Sequence, residues 1–149
     1  MPKTLSLGGW PANTIWYKDG YKYQLYTTYF HRLKHLRPAE PILTDYMDVL
    51  PTGRLIIKRG YAWDGPSGPT IDTKTFMRGS LVHDALYQMI RRKFLPMDPC
   101  RNQADRELQR ICIQDGMNRF RAWYVYQAVD KFGHFGLKKD FGKDLISAP

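Results

Sequence analysis

Residues 76–93 read FMRGSLVHDALYQMIRRK, and this stretch decides the fold of the chain. Its apolar residues return at steps of three and four positions: Met77, Leu81, Val82, Leu86, Met89 and Ile90. That spacing lines them up along one side of an α-helix. Pro96 and Pro99 follow, and proline cannot continue a helix. We therefore predict a helix over residues 76–93 that these prolines end.

Two more helices are predicted further along the chain. The second covers about Arg101–Gln114 and is followed by Gly116, a typical helix-ending residue. Its inward residues are Ala104, Leu108, Ile111 and Cys112. The third covers about Arg119–Phe132 and ends at Gly133 and Gly136. Its predicted apolar stripe is Trp123, Tyr126, Val129 and Phe132.

Upstream of the first helix, the sequence is typical of strands. Residues Tyr21–Phe30 begin with strict alternation, which suits a strand with one buried face. Residues 46–50 and 54–58 flank the Pro-Thr-Gly turn at 51–53, which predicts a hairpin. The predicted fold class is α+β, a small antiparallel sheet in the N-terminal half packed on about three helices. The short link between the first two helices predicts an antiparallel pair.

Composition places the chain among small globular proteins. The 149 residues, 43% of them apolar, fit a single domain over 1–149. The sequence contains no run of eighteen apolar residues, so it predicts no membrane-spanning helix. Residues 1–10 lack the apolar block of a secretory signal. Cys100 and Cys112 are expected on one helix, too far apart for a disulfide. We expect a cytoplasmic protein with two free thiols.

The positive net charge favours anionic partners but does not identify one. Lys and Arg number 23 against 14 Asp and Glu, a net charge of +9. Such a balance suits nucleic acid or an acidic membrane surface. The basic residues are spread along the chain and match no nucleic-acid motif, so specific nucleic-acid binding is not favoured. His31 and His35 have a metal-ligand spacing, but basic residues surround them and no third ligand is near.

The candidate chemistry lies on the helix pair. His83 and Tyr87 are four positions apart, so they share one face of the first helix, while Asp84 points about 100° away. Asp105 is expected on the second helix facing the first, where a buried carboxylate needs a partner. His83 is that partner, and a histidine oriented by a carboxylate is the pair of a general base.

A loop rich in glycine and proline, WDGPSGPT at residues 63–70, precedes the first helix. Such a loop offers backbone carbonyl oxygens, and together with the carboxylate of Asp84 it suits a hard cation such as calcium. Asp64 and Asp72 are additional candidate carboxylates.

The segments HDALY at 83–87 and ADREL at 104–108 resemble the paired-helix active site of phospholipase A2, most closely its parvoviral form. The resemblance covers about forty-five residues and includes the loop of Gly65, Ser67 and Gly68. It implies that His83 activates a water, that Asp105 holds the imidazole, and that Tyr87 supports Asp105. It also implies that Asp84 and the loop carbonyls bind calcium, which polarises an ester carbonyl. Pro66 and Pro69, an altered glycine spacing and missing disulfides depart from that family.

About two thirds of the chain also resembles an uncharacterised family of tailed-phage and prophage proteins. The shared segments are GYAWDGPSGPTID at 60–72, RGSLVHDALY at 78–87, AD at 104–105, GM at 116–117 and RAW at 121–123. This resemblance implies phage origin, in host cytoplasm or virion, and brings no activity.

Two functions therefore stand side by side. One is a calcium-dependent phospholipase A2-like hydrolase that acts on anionic phospholipid. The other is a non-catalytic virion component, or a protein that binds a host factor, in which the His-Asp-Tyr cluster only fixes the helix pair. Aromatic and arginine enrichment suits such a binding surface. The sequence leaves the oligomeric state open.

Overall fold

The computed structural model describes residues 17–18, 23–63 and 74–139, with side-chain surroundings for 23–63 and 74–131. Within these residues, short strands precede three helices, which is the predicted α+β class. The strands are β1 (Tyr17–Lys18), β2 (Tyr23–Leu25), β3 (Tyr29–Arg32), β4 (Ile42–Leu43), β5 (Met47–Val49), β6 (Arg54–Ile57) and β7 (Ala62–Trp63). The helices are α1 (Lys74–Arg91), α2 (Met97–Gln114) and α3 (Arg119–Lys139).

The described strands form two antiparallel sheets, in the orders β1-β2-β7 and β3-β6-β5-β4. The predicted hairpin is confirmed, since β5 and β6 pair with Met47 opposite Ile57 and Val49 opposite Leu55. Gly53 in its turn has φ +86°, and a Cβ there would lie 2.9 Å from the carbonyl oxygen of Leu33. The turn therefore requires glycine.

The prediction of one strand over Tyr21–Phe30 is wrong. Residues 26–28 bend, so that β2 and β3 belong to different sheets. The backbone of Leu25 exchanges hydrogen bonds of 2.8 Å with Tyr61 and Gly60. Beyond the bend, β3 pairs with β6 instead. Burial alternates along β3 but not along β2, so one alternating pattern does not describe both strands.

The prolines at 96 and 99 do not end the first helix. Helix α1 stops at Arg91, where Lys93 adopts φ +63° and Phe94 N–H donates to the carbonyl of Met89 at 2.9 Å. Pro96 instead stands at the N-cap position of α2, without a side-chain capping hydrogen bond, and Pro99 lies in the first turn, where a missing N–H costs no helical hydrogen bond. Helix α2 thus begins four residues before the predicted Arg101.

The third helix also differs from its prediction. It continues past Gly133 and Gly136 to Lys139, because an internal glycine costs a helix only about 1 kcal/mol. Its buried stripe differs in part from the prediction: Ala122 and Val125 are buried and Trp123 is 50% exposed. The predicted Tyr126 and Val129 are half-buried. The side chain of Phe132 lies outside the described residues.

Helix α1 is the most completely buried of the described helices. All its residues from Phe76 to Ile90 are buried except Asp84, so its polar side chains are buried together with the apolar stripe. Ser80, for example, accepts a 3.1 Å hydrogen bond from the indole of Trp63 and donates to the carbonyl of Met77. Helix α2 packs along it, with Ala104, Leu108, Ile111 and Cys112 buried as predicted. No helix in the described part of the chain has the length and apolarity of a membrane span.

Candidate active site

The site lies on the packed interface between α1 and α2. Gly79 permits this packing, because a Cβ at this position would lie 2.9 Å from both Cys112 Sγ and Leu108 Cδ1. One turn further along α1 is His83, and two turns further is Tyr87. Across the interface, α2 presents Asp105, so both aromatic side chains meet one carboxylate.

The predicted pairing of His83 with Asp105 is present. His83 Nε2 lies 2.7 Å from Asp105 Oδ1, and the hydroxyl of Tyr87 donates to the same oxygen at 2.6 Å. The His83 and Tyr87 rings are in contact, with centroids 4.0 Å apart. Asp105 is fully buried and His83 is 8% exposed. Short bonds to a buried carboxylate are strong because little water screens them.

The other oxygen of Asp105 links the pair to α3. Arg101 Nη1 donates to Asp105 Oδ2 at 3.2 Å, and also to the backbone carbonyl and the carboxylate of Asp130 at 3.0 and 3.3 Å. Asp105 therefore accepts from three side chains. These hydrogen bonds satisfy both oxygens of the buried carboxylate and fix its orientation.

The second ring nitrogen of His83 faces the edge of the cluster. Its Nδ1 lies 3.9 Å from Asp84 Oδ1, and the Asp84 side chain is 31% exposed. If Nε2 carries the proton that Asp105 accepts, Nδ1 holds the lone pair of a base. The imidazole thus has one nitrogen bound to the buried Asp105 and the other beside the partly exposed Asp84.

The protonation of His83 reflects two opposing influences. Burial alone would lower the pKa of the imidazole, but the hydrogen bond to Asp105, reinforced by Asp84, outweighs it and raises the pKa above its ordinary value. Burial and the neighbouring Asp105 carboxylate also raise the pKa of Tyr87. Tyr87 is therefore a hydroxyl donor at neutral pH.

The remaining predicted metal ligands, Asp64, Gly65, Ser67 and Gly68, lie outside the described residues, as does Asp72. Among the described residues, no group of three or more His, Cys, Asp or Glu side chains has the arrangement of a metal site. Asp84, the predicted ligand within the described residues, lies next to His83, with Oδ1 3.9 Å from Nδ1. A calcium site there requires further ligands.

A second buried histidine-carboxylate cluster was not predicted. His31 Nε2 donates to Glu107 Oε1 at 2.8 Å, and Arg110 donates to the same oxygen. His31 Nδ1 is hydrogen-bonded to the hydroxyl of Tyr29 at 3.1 Å, and this hydroxyl accepts from Arg78 Nη1 at 2.9 Å. The alternation of Tyr29, His31 and Leu33 places His31 on the buried side of β3, and this was the available signal. His35 is exposed and does not join it.

The Glu107 cluster predicts a pH-dependent stability. Burial alone would raise the pKa of Glu107, but His31 and Arg110 outweigh it and lower the pKa to about 2 from 4.5. The stabilisation is therefore complete above pH 4.5 and is lost as the pH falls toward about 2. Glu107→Gln should destabilise the protein at pH 7 by roughly 2–3 kcal/mol.

Urea unfolding at pH 7, 4.5 and 3 measures this effect. The gap between wild type and Glu107→Gln should narrow as the pH falls, while Glu40→Gln, at an exposed position, should follow the wild type throughout. An equal gap at pH 7 and pH 3 would contradict the assignment.

Comparison of the chain with known protein families, with curated proteins and with solved structures gave no match. The functional reading therefore depends on the residues and their geometry.

Proposed function

We propose that this protein is a phage-encoded hydrolase that uses His83 and Asp105 to activate water against a phospholipid ester. One observation carries the proposal: the imidazole of His83 is anchored to Asp105 through Nε2 at 2.7 Å. Its Nδ1, which lies 3.9 Å from Asp84 Oδ1, is the nitrogen that would act on water. The substrate class comes from the resemblance to phospholipase A2. The packing of α1 on α2 supports it by holding the His83 imidazole against Asp105.

The reaction uses His83 as base and then as acid. Nδ1 removes a proton from water as the water oxygen attacks the ester carbonyl carbon, and Asp105 stabilises the resulting imidazolium. When the carbon–oxygen bond to the alcohol breaks, His83 returns the proton to the leaving oxygen. Tyr87 and Arg101 hold Asp105 still throughout, through its two oxygens.

Calcium is part of the proposal. Asp84 would contribute a carboxylate, and the carbonyls of Gly65, Ser67 and Gly68, with Asp64, would complete the ligand set. When bound there, the ion would polarise the ester carbonyl and stabilise the negative charge that develops on its oxygen.

The outer surface of α3 supports a lipid substrate. Phe120, Trp123 and Tyr124 are 74%, 50% and 52% exposed, and the rings of Phe120 and Trp123 lie 5.9 Å apart. Aromatic side chains of this kind settle at the boundary between lipid and water. With the net charge of +9, this surface suits an anionic membrane.

Hydrolysis of mixed anionic phospholipid vesicles tests the proposal. Fatty-acid release should require calcium, stop with chelator and fall at least about 100-fold in His83→Ala. Because the pKa of His83 is raised, the rate should rise with pH through a value above 6.5, as the neutral base forms. His35→Ala, at an exposed histidine, is the matched control and should keep the full rate.

Circular dichroism must show that His83→Ala is folded, and the calcium dependence of the wild type gives an independent readout. No release by the wild type above a no-protein blank, or undiminished release by folded His83→Ala, would end the phospholipase proposal.

A second candidate is a non-catalytic virion component or host-factor-binding protein. It is favoured by the saturation of Asp105, whose donors Tyr87 and Arg101 bring α1 and α3 onto α2. A network of this kind stabilises a helix assembly whether or not it performs chemistry. Under this reading, His83→Ala lowers stability and leaves partner binding intact.

A further inference from the structure

A cavity of about 530 Å³ lies between β3, β6 and α2. It is on another side of α2 from His83, since Asp105 and Glu107 point about 200° apart around the helix. Its lining includes Arg32, Arg54 and Arg110, and none of its lining residues is acidic. A cavity of this size and charge suits a small anionic ligand.

Two of these arginines are direct neighbours on adjacent strands. Arg32 and Arg54 are paired in the register of β3 and β6, and both are exposed. Like charges in directly opposite positions repel and destabilise a sheet. Within the described part of the chain, no carboxylate forms an ion pair with either arginine. An anion bound between them would relieve the repulsion.

The third arginine is fixed at the base of the cavity. Arg110 Nη2 donates to the carboxylate of Glu107 and to the backbone carbonyl of Arg32 at 3.3 Å. Its Nε–H has no hydrogen-bond partner among the described residues. Glu107 is 2% exposed and, among the residues that the structure describes, is the one carboxylate that forms an ion pair with Arg110. The cavity therefore keeps an excess of positive charge.

An aromatic ring lies beside the arginines. Phe30 is 50% exposed, and the guanidinium carbon of Arg54 lies 5.1 Å from the centroid of its ring. This contact holds Arg54 in place and leaves an aromatic surface next to the positive charges. Flat ligand rings, such as nucleotide bases, stack on surfaces of this kind.

The cavity is suited to binding and not to a second hydrolysis. His31 is in its lining, but Tyr29 and Glu107 engage both of its ring nitrogens at 3.1 and 2.8 Å. No lone pair remains on this imidazole to activate water. Its role is to hold Glu107, and through it Arg110.

We propose that this cavity binds a phosphate-bearing ligand of nucleotide size. Arg32, Arg54 and Arg110 contact its phosphate, and Phe30 contacts its flat ring. Guanidinium groups match phosphate oxygens in both charge and geometry. Inorganic phosphate would fill only a small part of the cavity, which is why a larger molecule is inferred. This site is independent of the hydrolase proposal.

Isothermal titration with adenosine 5′-monophosphate, inorganic phosphate and adenosine, at one fixed salt concentration, tests the site. The monophosphate should bind more tightly than either fragment. The double variant Arg32→Gln/Arg54→Gln should weaken its binding at least about tenfold. Arg59→Gln removes an exposed arginine that is not in the cavity lining, and it should leave the affinity within about twofold.

Two further measurements separate the remaining outcomes. Both arginines are exposed, so the double variant should unfold at the wild-type temperature or above it, as repulsion is relieved. Absence of monophosphate binding at millimolar concentration, or equal affinity in the double variant, would overturn the site. Binding of phosphatidylglycerol vesicles through Arg32 and Arg54, without monophosphate binding, would overturn the nucleotide-sized ligand in favour of a lipid headgroup.

Discussion

Replacement of Asp105 by alanine is expected to lower the free energy of unfolding by about 3–5 kcal/mol. The carboxylate is fully buried and accepts hydrogen bonds from His83, Tyr87 and Arg101. Without it, two polar side chains at the helix interface lose a charged acceptor, and Arg101 loses one of its two carboxylate partners. The variant also leaves a cavity where α1 and α2 meet.

Urea denaturation followed by circular dichroism measures the loss. Asp105→Asn keeps an oxygen acceptor and should cost less than alanine. Asp98→Ala removes an exposed carboxylate from the first turn of the same helix, and its effect should stay below about 1 kcal/mol. A loss below about 1 kcal/mol in Asp105→Ala would show that the network contributes little to folding.

The second large effect is expected at Arg78. Its buried guanidinium binds Asp115 through Nε at 3.0 and 3.1 Å and through Nη2 at 2.7 Å, and it donates to Gln114 and Tyr29 at 2.8 and 2.9 Å. It thus joins β3, α1 and the end of α2. Arg78→Met should destabilise the protein by about 3–5 kcal/mol, because Asp115 is left without its ion-pair partner.

Thermal and urea unfolding of Arg78→Met, compared with Lys74→Met, checks this expectation. Lys74 is an exposed cation on the same helix, so its replacement controls for the change in charge. Removing Asp115 as well, in Arg78→Met/Asp115→Leu, should recover part of the loss, since no uncompensated carboxylate remains. Equal stability of the two single variants would contradict the role given to Arg78.

Local patterns account for the parts of the fold that were predicted. The hairpin around Gly53 and the existence of all three helices follow from turn chemistry and apolar spacing, which act over a few residues. The two sheets do not, because the bend at 26–28 is fixed by pairing with strands far along the chain. The register of α3 was missed because the small Ala122 packs inward while the larger Trp123 stays outside.

The contacts of the candidate site also include some that local patterns predict and others that they do not. The contact between His83 and Asp105 was predicted because each residue lies at a definite position on a helix and the short link sets the helices side by side. The cluster of His31, Glu107 and Arg110 joins a strand to a helix 76 residues away, and no local pattern connects them. Burial of Arg78 was likewise not evident, because its partners lie on β3 and at the end of α2, both distant in sequence.

The layout of α2 constrains how this sequence is free to change. Between Ala104 and Cys112, six positions are buried. Apolar residues among them pack against α1, Asp105 binds His83, and Glu107 binds His31 on β3. An ordinary amphipathic helix leaves half of its circumference open to substitution. Here only Arg106 in that span is exposed. We therefore expect related sequences to differ less in this span than in the surface loops.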